Sequence, residues 1–153
     1  MKLERAREAY HEAGHSCAAI AFGIPIVTVS IGDRPHLRRG AYRPQNVLEL
    51  ERLVTLCLSG GEAERAFFGA AGYCGDITDQ HMARSFLARG FAPADIEAEF
   101  ARCRDIAARL VRSPWGRWHV KRIASALLAC GTLDGERVDI VVGRSRRGYR
   151  AKA

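Results

Sequence analysis

The chain has 153 residues, 48% of them hydrophobic and 27% charged, with 24 Lys and Arg against 17 Asp and Glu for a net charge of +7. That length suffices for one domain with a real core, and the balance is ordinary for a soluble globular protein. No apolar run approaches the ~20 residues that cross a bilayer. The charged opening "MKLERAREAY" does not read as a secretory signal, so a cytoplasmic location with no membrane contact is expected.

Residues 3–22 read as a helix stopped by Gly23 and Pro25. Its second half is apolar around most of its circumference, which predicts a central position. "IPIVTVSI" (24–31) alternates Val27, Val29 and Ile31 with Thr28 and Ser30, the period of a strand. Residues 32–44, rich in Gly, Pro and Arg, read as a loop or irregular ribbon.

A second helix is predicted from about Gln45 to Phe68, with Gly60 and Gly61 inside it allowing close packing or a kink. "GAAGYCGD" (69–76) breaks the pattern, and Thr78 is placed as the N-cap of a helix from Asp79 to about Ala88. Pro93 opens a long helix to about residue 112. A last helix covers about 115–129, followed by "GTLDGERVDIVV". The expected fold is mainly α with one small β element, one domain over 1–142 and a basic tail over 143–153.

Five cysteines, Cys17, Cys57, Cys74, Cys103 and Cys130, are an odd and widely spaced set, which argues against a disulfide framework and for small core residues. The tail "GRSRRGYRAKA" carries much of the positive charge. With only Tyr149 to stack on a base, it reads as a solvated terminus, and nucleic acid is not the expected partner.

The chemistry concentrates in "AYHEAGHSCAAI" (9–20). Positions four apart on a helix share a face, about 6 Å apart along the axis. His11 and His15 can therefore offer two imidazole nitrogens to one ion, with Glu12 beside them in reach of a water on it, the His-Glu-x-x-His pattern of zinc peptidases. Neutral imidazoles leave zinc a strong Lewis acid that brings its water to a pKa near 7. Glu12 can then take the water proton and pass it to the leaving amine.

The competing reading is a buried helix with two core histidines, but a buried Glu12 between them would be costly. A catalytic zinc needs a third protein ligand. His36 sits in an Arg-rich loop and His119 beside Arg117, Lys121 and Arg122. These two and His81 read as structural or surface residues. Asp76 and Asp79 in "CGDITDQ" remain as candidates.

"AYHEAGHS" followed by "AFGIPIVTVSI" resembles the peptidase domain of the FtsH-type AAA+ metalloproteases. "LSGGEAERAFFG" (58–69) is similar to that family's Gly-Gly-x-x-Ala-Glu-like segment, and "GTLDGERV" (131–138) to its C-terminal Thr-Leu-x-Gly-x-x-Val pattern. The four segments come in the family's order and span most of residues 6–142.

The resemblance implies a helical, zincin-like domain and a third ligand at the start of the helix after the Gly-rich loop. Counting the family's following Ala and apolar residue selects Asp79, with Asp76 as the alternative. It implies Zn2+ held by His11, His15 and Asp79, Glu12 as general base, and a strand near Val27–Ile31 offering an edge to an extended substrate.

No ATPase module or phosphate-binding loop is present in this sequence, so a stand-alone peptidase domain is expected. It would cut flexible or unfolded polypeptides, with a separate unfoldase or adaptor as a candidate partner and a homo-oligomer as a candidate state. A non-catalytic zinc-fold adaptor or regulatory protein is the second reading, and a basic nucleic-acid-associated protein, supported by the charge and the tail alone, is the third.

Overall fold

A computed structural model describes residues 2–72 and 75–144. Of the basic tail predicted from residue 143, all but the first two residues lie outside the described residues. The chain is mainly helical with a small sheet: α1 (Lys2–Phe22), β1 (Ile26–Ser30), β2 (His36–Arg39), α2 (Val47–Phe68), α3 (Gly75–Leu87), a 3-10 turn (Pro93–Asp95), α4 (Ile96–Arg112), α5 (Pro114–Cys130), β3 (Thr132–Asp134) and α6 (Gly135–Val141). Among the described residues no helix is long and apolar enough to cross a membrane.

α1 is the central element, packed between α2 and α5. Every residue from His11 to Ala19 is buried, as expected of a helix surrounded on all sides. It ends where Gly23 adopts a left-handed φ of 67° and Ile24 N–H bonds back to Ala19 O at 2.9 Å, a C-terminal arrangement that glycine permits without strain. α2 is capped by Asn46, whose side chain accepts from Glu49 N–H at 2.9 Å. It is stopped by Gly69, also left-handed.

α1 and α2 touch at their smallest residues. A Cβ on Gly14 would collide with Ser59 O and stand 2.7 Å from Ala63 Cβ, so this crossing requires glycine. One core cluster joins α1 and α5 to the sheet through Cys17, Val29, Ile123, Leu127 and Leu133. A second joins α2, α3 and α4 through Val54, Leu58, Leu87, Phe100 and Cys103. Cys17, Cys57 and Cys103 are buried free thiols, as expected of core residues, whereas Cys130 is exposed and Cys74 lies outside the described residues.

The sheet differs from expectation in a way that matters for function. Its order is β2-β1-β3, antiparallel throughout, with Val29 opposite Leu37 on one side and Leu133 on the other. β1 is therefore the middle strand. The edge expected at Val27–Ile31 is already paired on both sides, and the sheet's free edges belong to β2 and β3. β2 arises within the expected irregular ribbon, and β3 and α6 arise within "GTLDGERVDIVV", where local pattern showed no second strand or further helix.

α3 also corrects its predicted start. It begins at Gly75, so Thr78 lies inside the helix and is no N-cap. Asp76 occupies the first turn and its Oδ2 accepts from Gln80 Nε2, one turn on, at 2.9 Å. That side-chain bond supports the earlier turn and moves Asp79 into the second.

Candidate metal centre

His11 and His15 leave the same face of α1 and meet Asp79 from α3. His11 Nε2 and His15 Nε2 are 3.0 Å apart, and Asp79 Oδ2 lies 2.9 Å from the first and 3.0 Å from the second. Among the described residues this is the one group of three His, Cys, Asp or Glu side chains whose donor atoms converge closely enough to hold a metal ion. Asp76, the alternative, is engaged elsewhere: Arg65 donates to its Oδ2 at 2.9 Å.

The opposite ring nitrogens determine what the inner ones present. His11 Nδ1–H donates to Glu64 Oε1 at 2.8 Å, and His15 Nδ1–H donates to Leu56 O at 2.8 Å. A carboxylate and a carbonyl can only accept, so each neutral ring turns a lone pair inward at Nε2. Two such lone pairs and a carboxylate oxygen at 3 Å repel one another unless a proton or a cation lies among them.

Donors held about 2 Å from one zinc ion stand roughly 3.3 Å apart, close to the triangle observed. Two imidazoles and a carboxylate are a donor set zinc accepts, and a carboxylate behind a ligand histidine is its usual support. The residues fit a zinc ion.

The protonation pattern agrees. Burial opposes charge on His11, but hydrogen bonds to Asp79 and Glu64 outweigh it and raise its pKa to about 9. His15 is likewise raised, burial being overcome by Asp79. Burial also works against ionisation of Asp79, yet the histidines hold its carboxyl well below the usual range. The metal-free pocket thus keeps a positive charge in the middle of its ligands.

Glu64 is wholly buried on α2. Besides His11 it receives Gly72 N–H at 2.9 Å and the Arg7 guanidinium at 3.4 Å. Sequence reading missed its role, since Glu62 and Arg65 beside it make the local pattern look like an ordinary charged helix face.

Gly60, expected from sequence only to ease packing, shapes the site itself. A Cβ there would stand 2.5 Å from His15 Nε2 and 2.7 Å from His11 Nε2, so bare backbone floors the site. At Gly61 a Cβ would strike Asp76 Oδ1, which ties the start of α3 to the same stretch of α2.

Glu12 lies beside this cluster, 3% exposed, with Oε2 buried and lacking any hydrogen-bond partner among the described residues. Burial raises its pKa against the opposing pull of His15 and His11. A carboxylate so placed is costly in a purely structural role and suited to exchanging a proton.

The cluster opens into a cleft of about 460 Å³, with apolar walls from Leu56, Met82 and Phe86 on one side and the β2 residues His36, Leu37 and Arg39 on the other. Burial pushes the Cys57 thiol in the wall up to about 12, leaving it protonated in the metal-free protein. His36, read from sequence as a surface or structural residue, lies on the rim of this cleft. His119 is structural as expected: it is buried, with Nδ1 donating to Trp115 O at 2.9 Å. His81 is exposed.

Compared with known proteins, the chain matches no protein-family model and no curated sequence.

Proposed function

We propose that this chain is a zinc-dependent endopeptidase related in design to the FtsH-type peptidase domain, acting on flexible or unfolded polypeptides. His11, His15 and Asp79 are its metal ligands and Glu12 its general base. The observation that carries the reading is the convergence of three inward-facing acceptors at 2.9–3.0 Å beside a buried carboxylate oxygen without a partner. A bound zinc ion supplies Lewis acidity to the scissile carbonyl and acidity to the attacking water.

The protein's own contribution is positional. Glu64 and the Leu56 carbonyl fix the two imidazoles so that both Nε2 atoms face one point. Glu12 receives the proton of the attacking water and delivers it to the leaving nitrogen. An extended substrate pairs with the free edge of β2, which borders the cleft. The walls at Leu56, Met82 and Phe86 take an apolar side chain.

The test pairs metal analysis with casein cleavage by the wild type and Glu12→Gln. About one zinc per chain in both proteins, with turnover in the wild type alone, is expected. Zinc without turnover on any unfolded substrate would replace the peptidase by a zinc-binding adaptor. A chain that binds no zinc would refute both.

A further inference from the structure

The strand beside the cleft, with the residues that flank it, is rich in arginine. Between residues 34 and 43 the chain has Arg34, Arg38, Arg39 and Arg43 and neither Asp nor Glu. Several arginines elsewhere face carboxylates: Arg65 binds Asp76 and Glu62, Arg84 binds Glu97, and Arg104 binds Glu62. The four around β2 have no carboxylate partner among the described residues. The hydrogen bonds they donate go to neutral oxygens, from Arg38 Nε to Thr28 Oγ1 at 3.3 Å and from Arg39 NH1 to Tyr42 O at 3.1 Å.

Arg39 is the informative member. It is half-buried and lines the same cleft as His11, Glu12 and Asp79. A partly desolvated guanidinium with unused donors is a strong receptor for a carboxylate, which it can grip through two parallel bonds. Nothing in the packing of β2 requires a charge here, since the strand is anchored by Leu37 opposite Val29. Arg34, Arg38 and Arg43 surround it with a field of the same sign, which draws anionic chains to the edge.

We propose that the cleft selects acidic polypeptide segments, with Arg39 binding an Asp or Glu side chain of the substrate and Arg34, Arg38 and Arg43 steering its acidic flanks onto β2. This deepens, and for cleavage rests on, the peptidase reading. Arg39 belongs to the β2 wall of the cleft, so the selected acid lies along that wall and not at the scissile bond itself. The selectivity belongs to this chain's own residues and holds for binding as well as for turnover.

The experiment uses three fluorogenic peptides of one length, identical except for Glu, Gln or Lys at the positions flanking an apolar centre. With the zinc-loaded wild type, kcat/KM for the Glu peptide is expected to exceed that for the Gln peptide by about tenfold, a ratio that shrinks as salt screens the rim charges. Arg39→Gln should bring the ratio near one, Arg39→Lys should keep part of it, and Arg39→Glu should favour the Lys peptide. Circular dichroism checks that each variant folds, and Arg38→Gln, on an exposed position, provides a second variant expected to weaken the salt dependence.

Fluorescence anisotropy with Glu12→Gln gives binding without cleavage and should follow the same order. Equal handling of the Glu and Gln peptides by the wild type, or a preference that survives Arg39→Gln, overturns the proposal. A wild type that cleaves none of the peptides defeats the peptidase reading instead. In that event the anisotropy still decides, because Arg39-dependent binding of the Glu peptide supports acidic selection and its absence ends it.

Discussion

A β-carbon on Gly60 would stand 2.5 Å from His15 Nε2, so the floor of the cluster is peptide backbone and has no room for a side chain. Gly60→Ala is therefore expected to displace both imidazoles or to occupy the place of the ion. Zinc content measured after dialysis should fall from about one per chain to near zero. The overpacking should cost about 1–3 kcal/mol in metal-free unfolding. A Gly60→Ala variant that keeps full zinc would show that the ion binds elsewhere.

The support of His11 by Glu64 can be tested without touching a ligand. In Glu64→Gln the amide replaces a buried carboxylate that accepts from His11 Nδ1–H, Gly72 N–H and Arg7. Removing such outer support lowers metal affinity by about 10–100-fold. Competition with a chelator of known affinity reads this directly, and an unchanged affinity would assign Glu64 to packing alone.

Asp79 and Asp76 are separated by three positions on α3 and should behave as opposites. Asp79→Asn is expected to lose zinc while the domain remains folded. Asp76→Asn should retain zinc and lose about 1–3 kcal/mol, because the Arg65 guanidinium it pairs with at 2.9 Å is left without that carboxylate. Metal analysis beside urea denaturation distinguishes them, and zinc loss in Asp76→Asn alone would reverse the assignment.

The metal-free protein should carry a pH signature. His11 moves from an ordinary 6.5 to about 9 in the folded chain, so the folded state holds its proton more tightly than the unfolded state. The stabilisation is complete below pH 6.5 and is lost as pH rises through about 9. The melting temperature of metal-free protein is expected to fall across that window. Zinc-loaded protein should not share the fall, since the ion takes the place of the proton. Parallel melting curves for the two forms would count against the shared site.

The helical class and half of the site were legible from local pattern. His11, Glu12 and His15 fall within one run, and a four-residue spacing has a single meaning once the segment is helical. The helix is identified by its apolar second half and by the stop at Gly23 and Pro25. The cap of α2 at Asn46 and its end at Gly69 are similarly local, which is why its bounds were predicted to within two residues.

What the tertiary structure decided is everything that depends on elements distant along the chain. That Asp79 and not Asp76 lies against His11 and His15 follows from where α3 starts and which of its faces meets α1, and Arg65 of α2 takes the other acid. β1 became the middle strand because β3, from the far end of the chain, pairs with it, which moved the free edge to arginine-rich β2. Periodicity reports which side of an element is apolar, because that pattern is written in neighbouring residues. It cannot report which partner covers that side, because that is determined by the packing of the whole chain.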